Sequence, residues 1–221
     1  MLSARSGVLI TLEGGDGCGK STQARLLCER LSAAGLPVGP TDAPGAVVRE
    51  PGGTPVGEAI RDMLLHGPYA PDPWTEALLY AAARAELVAR ILLPELSRGR
   101  VLVLDRFVDS SLAYQGCARG LGLDEVLAVN RLGLRGLLPD LTLILDMDPA
   151  ESMRRLGGEH DRMEAEGLGF QREVRAGFAT VARRFPERVR VIDGARDIES
   201  GARDVAAAAR ATLTHAGLGG A

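Results

Sequence analysis

Short apolar runs alternate with longer segments of helical periodicity along this chain. The apolar runs lie at residues 7–12, 46–48, 101–105, 141–146 and 190–193. Apolar residues recur at helical spacing in residues 21–31, 54–65, 74–96, 123–138, 164–185 and 195–214. Continuous rather than alternating apolar runs are typical of strands buried on both faces of a parallel sheet. The pattern therefore predicts an α/β fold of three layers, with a five-stranded parallel sheet flanked by helices.

The length of 221 residues fits one domain with a closed core. The chain contains no internal repeat, low-complexity block or linker that would divide it, so we expect a single domain over residues 1–221. Residues 156–162 are polar, charged and rich in glycine, which predicts a short mobile loop between two helices.

Composition and charge exclude several classes of protein. Apolar residues make up 46% of the chain and charged residues 25%, which argues against disorder. The net charge of −3 lacks the positive field of a protein that binds duplex nucleic acid. No apolar run approaches the length of a membrane span, and the N-terminus does not resemble a signal peptide. We expect a soluble, cytoplasmic protein with neither nucleic acid nor membrane as a partner.

The use of lysine is unusual. Of the 26 basic residues, Lys20 is the only lysine and the rest are arginine. A lysine retained alone in an arginine-rich chain indicates a position where arginine cannot do the same work.

Lys20 lies in a phosphate-binding motif. Residues 14–21 read GGDGCGKS and match the P-loop pattern G-x-x-x-x-G-K-[ST], between a predicted strand and a predicted helix. The glycines let backbone N–H groups point into one concavity, and the helix adds its positive end. Lys20 would reach the β- and γ-phosphates of ATP, and the Ser21 hydroxyl would bind Mg²⁺. The residues assigned to nucleotide binding are Gly14, Gly15, Asp16, Gly17, Cys18, Gly19, Lys20, Ser21 and Thr22.

The P-loop narrows the possible functions without deciding the reaction. Guanine-specific switches need the motif N-K-x-D, but Asn130 and Lys20 are the only asparagine and lysine in the chain. Motor and transporter ATPases need a longer chain. A small kinase that acts on a small acceptor is the best remaining class.

Two further groups lie where strands are predicted to end. Arg49 follows a weak strand, at the edge where open α/β sheets bind ligands, and suits bidentate contact with the acceptor's phosphate. Asp105 ends a buried strand and is followed at once by Arg106. The carboxylate could hold the hydration shell of Mg²⁺, and the arginine could bridge the phosphates of donor and acceptor.

Five segments together carry a resemblance to a known family. They are the P-loop with its internal Asp16, then REPGGT at 49–54, LLYAAAR at 78–84, DRF at 105–107 with SSLAYQG at 110–116, and PDLT at 139–142. Over residues 7–194 the chain resembles the thymidylate kinases, the ATP-dependent dTMP kinases of bacteria. Adenylate, guanylate and shikimate kinases share only the P-loop.

The resemblance implies roles for residues in the acceptor site. By it, Tyr80 stacks on the thymine, Arg84 bonds a thymine carbonyl, and Asp16 meets the 3′-hydroxyl of the sugar. The remaining implied substrate contacts are Arg49, Arg106, Ser111, Tyr114 and Gln115. Tyr80 replaces the commoner phenylalanine, and Phe107 stands where the family often has tyrosine or histidine.

Residues 154–163 resemble the lid of this family. Members that lack a P-loop arginine place one in the lid, and residues 15–17 of this chain contain none. Arg154, Arg155 and Arg162 are the candidates, with Arg155 or Arg162 expected to enter the site when the lid closes. The pair at 157–158 is Gly-Gly where an Arg-Gly step is common, so the match does not decide between them.

The resemblance implies the reaction ATP + dTMP → ADP + dTDP with Mg²⁺, in the de novo and salvage synthesis of dTTP. It also implies a homodimer formed by the apolar helices at 74–96 and 123–138. Two other functions stay open at this point. One is a P-loop kinase for another nucleoside monophosphate or a deoxynucleoside, and the other is a nucleotide-binding regulator with a degenerate acceptor site.

Overall fold

Strand β1, Val8–Glu13, is buried along its whole length and lies at the centre of the sheet. A computed structural model describes residues 6–156 and 162–218. In this part of the chain the other strands are β2 (Val48–Arg49), β3 (Val101–Asp105), β4 (Leu141–Asp146) and β5 (Val189–Asp193). The five strands form one parallel sheet in the order β2-β3-β1-β4-β5. The predicted α/β fold is confirmed.

Helices connect the strands and cover both faces of the sheet. They are α1 (Lys20–Ala33), α2 (Pro55–His66), α3 (Pro73–Leu87), α4 (Leu93–Ser97), α5 (Val108–Ser111), α6 (Leu123–Leu134), α7 (Pro149–Leu156), α8 (Gly167–Arg184) and α9 (Ile198–His215). A π-helical turn at Val88–Leu92 joins α3 to α4, a second at Leu112–Ala118 continues α5, and a 3₁₀ turn spans Glu164–Glu166. None of the helices in the described ranges combines the length and apolar character needed to cross a membrane.

The alternating side chains of β1 enter two separate cores. Val8, Ile10 and Leu12 pack in a cluster with residues of α1 and α9 on one face. On the other face Leu9 packs in a cluster with α3, α4 and α6. Each fully buried aliphatic side chain contributes about 1.5–3 kcal/mol to folding. Burial on both faces explains why the strand appears in the sequence as a continuous apolar run.

The register of the sheet brings the ends of three strands together. Asp105, the last residue of β3, pairs with Leu12 of β1 on one side and with Arg49 of β2 on the other. The P-loop follows β1 directly, so it opens at the same edge as Asp105 and Arg49. This edge is where ligands of open α/β sheets bind.

Three differences between the predicted and observed helices have a clear local cause. The helix predicted at 123–138 ends at Leu134, because Arg135 adopts a left-handed conformation with φ 51°. The helix predicted from 195 begins at Ile198, since the Asp197 side chain caps it by accepting from the Ser200 amide. The helical segment from Val108 to Ala118 was not predicted, because SSLAYQG has no clear apolar period.

A buried ion pair ties the sheet to α5. Both terminal nitrogens of Arg188 donate to the Asp109 carboxylate, at 2.6 and 2.7 Å. The Thr142 hydroxyl on β4 donates to the same carboxylate at 2.8 Å and contacts the Thr11 hydroxyl on β1 at 3.0 Å. These contacts connect α5, β1 and β4 with the residue that precedes β5.

We expect the substitution Asp109→Ala to lower the free energy of unfolding by about 3–5 kcal/mol, since it leaves the buried Arg188 charge uncompensated. Urea unfolding measures the change. The control is Asp204→Ala, which breaks the half-exposed pair with Arg196 and should cost less than about 1 kcal/mol. Equal costs for the two variants would show that the Asp109 pair does not stabilise the sheet.

Candidate active site

A cavity of about 350 Å³ opens at the carboxyl edge of β1 and β3. The predicted site residues that line it are Asp16, Gly17, Lys20, Ser21, Arg49, Tyr80, Arg84, Asp105, Arg106, Ser111, Tyr114 and Gln115. Gly14, Gly15, Cys18, Gly19 and Thr22 belong to the P-loop and the first turn of α1 but are not part of this lining. The fold therefore brings residues from four distant sequence segments around one space.

The P-loop holds its lysine against its own backbone. Lys20 is the first residue of α1 and is only 7% exposed. Its Nζ donates to the Gly15 carbonyl at 2.7 Å and lies 3.8 Å from the Cys18 sulfur. An ammonium has three donors, so those not used by the loop can reach a phosphate in the cavity.

Gly17 marks a close approach between the P-loop and α7. Its φ is +77°, and a Cβ atom there would lie 2.3 Å from the Ser152 carbonyl oxygen of α7. A side chain at position 17 would thus need both a strained backbone and a displacement of α7. The structure explains why this position is glycine.

Two oxygen ligands for a cation stand next to each other. The Ser21 hydroxyl at the start of α1 donates to Asp105 Oδ2 at 2.6 Å. Oxygen ligands of this kind suit Mg²⁺, which usually takes one or two protein groups and keeps phosphate and water oxygens. Residues 6–156 and 162–218 contain no group of three or more His, Cys, Asp or Glu side chains placed to hold a metal. The residues present fit Mg²⁺ bound together with a nucleotide.

Arg106 is the centre of a polar cluster on the cavity wall. Its guanidinium donates to the Gly14 carbonyl at 3.0 Å, to the Tyr114 hydroxyl at 3.2 Å and to the Asp16 carboxylate. Burial alone would raise the pKa of Asp16, but the charges of Arg106 and Lys20 hold this pKa below its ordinary value. Burial raises the pKa of the Tyr114 hydroxyl well above its ordinary value, even beside Arg106. Asp16 is therefore an ionised acceptor, and Tyr114 stays neutral.

The backbone of Arg106 is itself strained. Its φ of 70° is left-handed, a conformation that costs a non-glycine residue about 1–3 kcal/mol. The Arg106 amide donates to Leu12 at 3.0 Å, and the Glu13 carboxylate accepts from the Phe107 amide and the Ser110 hydroxyl. Burial, with the charge of Asp109, raises the pKa of Glu13 to about 8. These contacts hold the segment in the conformation that aims Arg106 into the cavity.

Arg84 lies at the deep end of the cavity and is 1% exposed. Its guanidinium donates to Asn130 Oδ1 on α6, to the Phe107 carbonyl at 3.2 Å and to the Ser111 hydroxyl at 2.9 Å. It also forms an ion pair with Glu50, although neither Glu50 oxygen meets the geometry of a hydrogen bond. Burial raises the pKa of Glu50 to about 7, against the opposing effect of Arg84.

The cavity is positive although the chain carries a net charge of −3. Its basic side chains are Lys20, Arg49, Arg61, Arg84 and Arg106, and its acidic ones are Asp16, Glu50 and Asp105. Five basic groups against three acidic groups leave an excess of positive charge, which suits the phosphates of two nucleotides.

Comparison with known proteins agrees with this geometry. Residues 12–205 match the family model described as thymidylate kinase.

The chain belongs to the thymidylate kinase family.

Curated relatives of that name cover most of the chain. The thymidylate kinase of Pelotomaculum thermopropionicum is 50% identical over 194 residues, which are 86% of this chain and 87% of the relative. The thymidylate kinase of Caldanaerobacter subterraneus subsp. tengcongensis is 46% identical, over 87% of this chain and 89% of the relative. The thymidylate kinase of Leifsonia xyli subsp. xyli is also 46% identical, with 91% and 93% covered. The resemblance stated from the sequence is confirmed.

In this member of the thymidylate kinase family, the candidate lid arginines contact protein groups outside the cavity lining. Arg154 is exposed and donates to the Ala150 carbonyl, and Arg155 donates to Glu151 at 2.8 Å and to the Gly194 carbonyl at 3.4 Å. Arg162 donates to the Leu64 carbonyl and to Glu76 Oε2, both at 2.7 Å. Residues 157–161 of the predicted lid lie outside the described residues. The choice between Arg155 and Arg162 stays a prediction.

Several polar residues near the thymidylate kinase motifs were not predicted. Glu50 and Arg61 line the cavity, Asn130 holds Arg84, and Glu76 holds Gln115. Asn130 had a signal, because it is the only asparagine of the chain, as Lys20 is the only lysine. Glu76 and Arg61 look like ordinary charged positions of amphipathic helices, and only the fold shows their partners.

Proposed function

We propose that the protein transfers the γ-phosphoryl group of ATP to dTMP, giving ADP and dTDP. The observation that carries the proposal is one continuous cavity that contains Lys20 and Ser21 of the P-loop and also Arg84 and Gln115. A cavity lined by both sets places the phosphate-binding groups for a nucleoside triphosphate next to the groups for a second, smaller nucleotide. Family membership supports the same reaction.

On the donor side, the P-loop binds the phosphates of ATP. The amides of the first turn of α1 have no partners within their own helix and face the loop, where a phosphate can accept from them. Ser21 and Asp105 are the residues that would hold Mg²⁺. When bound, this ion supplies positive charge to the β- and γ-phosphates.

On the acceptor side, the cavity offers a separate group for each part of dTMP. Arg49 binds the phosphate, and Asp16, held ionised, accepts from the 3′-hydroxyl. Tyr80 stacks on the thymine ring, and Arg84 and Ser111 donate to a thymine carbonyl. These roles rest on the family resemblance and are supported by the position of each side chain in the cavity lining.

The reaction needs positioning and charge stabilisation rather than a protein nucleophile. An oxygen of the dTMP phosphate attacks the γ-phosphorus in line, while the bond to the β–γ bridging oxygen breaks and ADP leaves with that electron pair. Lys20 and Arg106 stabilise the negative charge on the transferred group. Closure of the lid at residues 154–163 adds Arg155 or Arg162.

An ADP-release assay with a panel of nucleoside monophosphates and deoxynucleosides tests the proposal. We expect dTMP to give the highest kcat/KM, with Mg²⁺ required. A higher value for a different monophosphate or a deoxynucleoside would assign another acceptor. ATP binding without turnover of any acceptor would indicate a regulator and overturn the proposal.

We also propose a homodimer formed through α3 and α6. These helices pack closely, since a Cβ atom at Gly133 of α6 would lie 2.8 Å from Ala85 Cβ of α3. Leu78 of α3 and Leu132 of α6 are exposed, the latter by 90%. Sedimentation equilibrium should give twice the chain mass of 23.3 kDa, and Leu132→Glu should shift the population to monomer. A monomer mass for the unaltered chain at micromolar concentration would refute the dimer.

We propose a cytoplasmic location for the enzyme, which fits its membership of the thymidylate kinase family. Cell fractionation with the dTMP-dependent assay tests it, and activity outside the cytoplasmic fraction would contradict it.

A further inference from the structure

Glu76 is a buried carboxylate beside the proposed thymine pocket. It lies in the first turn of α3 and is only 1% exposed. Glu76 Oε1 accepts from the side-chain Nε2 of Gln115 at 2.9 Å. Its carboxylate also pairs with Arg119 at 3.3 Å and with Arg162 at 2.7 Å. Both guanidinium groups are donors only, so the Glu76 oxygens act as acceptors toward them.

The carboxylate oxygens of Glu76 thus accept from Arg119, from Arg162 and from Gln115 Nε2. The amide group of Gln115 must therefore turn its nitrogen toward Glu76, and its oxygen away from it. Glu76 thus holds the nitrogen of the Gln115 amide and leaves its oxygen, Oε1, for contact with another group.

The amide oxygen of Gln115 is the atom left for a ligand. Gln115 lines the cavity, whereas Glu76, which holds its Nε2, is not part of the lining, so Oε1 lies at the end of the amide away from Glu76. Next to it, Ser111 Oγ accepts from Arg84 at 2.9 Å, so the Ser111 proton points to another acceptor. Arg84 has donors only. On this wall of the cavity, Arg84 and Ser111 therefore offer donors, and Gln115 Oε1 offers an acceptor beside them.

The pattern matches one kind of pyrimidine edge. Thymine and uracil carry a carbonyl oxygen next to an N3–H donor. Cytosine carries an amino donor next to an N3 acceptor, so both of its groups would face groups of the same kind. A site built on hydrogen bonds rejects such an analogue because its own buried groups are left unpaired.

We propose that Glu76 is the positioning residue for base selection: by holding the Gln115 nitrogen, it commits the cavity to pyrimidines that have an N3–H beside a carbonyl. The proposal rests on the proposed function, since it concerns the acceptor of the same reaction. It assigns Glu76 no contact with the substrate.

The test compares Glu76→Gln with a matched control. Glutamine at position 76 can donate as well as accept, so the Gln115 amide can turn over. The control is Glu166→Gln, because Glu166 pairs with the same Arg119 and Arg162 but makes no contact with Gln115 among the described residues. Each substitution removes one negative charge that lies beside Arg119 and Arg162. Only Glu76→Gln changes the partner of Gln115.

The readout is kcat/KM for dTMP, dUMP and dCMP. The bases of dUMP and dCMP both carry hydrogen at C5. They differ only at C4 and N3, the edge that Gln115 is proposed to contact. We expect the dUMP:dCMP ratio to fall at least about tenfold in Glu76→Gln and less than about threefold in Glu166→Gln. The dTMP:dUMP ratio, which reports only the 5-methyl group, should stay within about twofold in both variants.

An unchanged dUMP:dCMP ratio in Glu76→Gln, or an equal fall in Glu166→Gln, would overturn the inference. If Glu76→Gln does not fold, Gln115→Leu replaces it: this variant has no amide, and the dUMP:dCMP ratio must fall in it too. A failure of the unaltered protein to use dTMP would instead refute the proposed function. Turnover of dTMP with no preference for dUMP over dCMP would refute only the role of Glu76.

Discussion

Replacement of Lys20 by alanine or by arginine is expected to reduce kcat at least about 10³-fold while the chain still folds. Lys20 Nζ is seated inside the P-loop, with one donor on the Gly15 carbonyl at 2.7 Å. Lys20 lines the cavity, where charge would build up on the transferred phosphoryl group. Alanine removes that charge.

Arginine keeps the charge but does not fit the same space. A guanidinium is planar and larger than an ammonium, and Lys20 is only 7% exposed within the loop. The rest of the basic residues in the chain are arginine, so the retained lysine agrees with a geometric requirement.

Steady-state kinetics with saturating ATP and dTMP measure the loss, and thermal unfolding checks the fold. Arg25→Lys, on the exposed face of the same helix, is the control and should change kcat less than about twofold. Retention of more than about a tenth of the kcat in Lys20→Arg would refute the geometric explanation, since that loss is under about 1.4 kcal/mol.

The second large effect is expected for Arg106→Ala, with a loss of about 10³-fold in kcat and little change in ATP affinity. Arg106 is a cation already held in the cavity by Gly14, Asp16 and Tyr114. A charge fixed before the reaction stabilises the transition state without the cost of reorganising solvent. Its strained backbone, at φ 70°, agrees with a position kept for function.

Tyr114→Phe is the matched control for Arg106→Ala. It removes the hydroxyl that contacts both Arg106 and Asp16 but leaves the charge in place, so kcat should fall less than about tenfold. The single variants Arg154→Ala, Arg155→Ala and Arg162→Ala complete the set. If none of the three changes kcat more than about threefold, the lid supplies no charge and Arg106 is the only arginine that acts beside Lys20. If Arg106→Ala stays within tenfold of the unaltered enzyme, the transition-state charge is stabilised elsewhere.

The sequence alone predicted most of the framework of this site. Strand positions and the P-loop follow from local patterns, because a buried parallel strand is a continuous apolar run and a phosphate loop needs glycines. Those patterns also placed Asp105 and Arg49 at strand ends, where the sheet register brings them together. The helix at Val108–Ala118 escaped prediction because its polar residues face the cavity or the buried Asp109 pair and break the apolar period.

The supporting residues could not be predicted for a different reason. Glu50, Glu76 and Asn130 act through partners at least 34 positions away in the chain, such as Asn130 with Arg84. Nothing local distinguishes a buried carboxylate that holds another side chain from a solvated one on a helix surface. Only the packing of α3 against α6 and the π-helical turn shows which of these groups are paired.

The contact between Gly17 and α7 restricts how this enzyme can change over evolutionary time. A point mutation that placed an arginine at position 17 would push a side chain into the Ser152 carbonyl, 2.3 Å from the first added carbon. Shifting α7 to make room would disturb the segment that carries Arg154 and Arg155. An arginine at this position would therefore need matched changes in the loop and in α7 rather than one substitution.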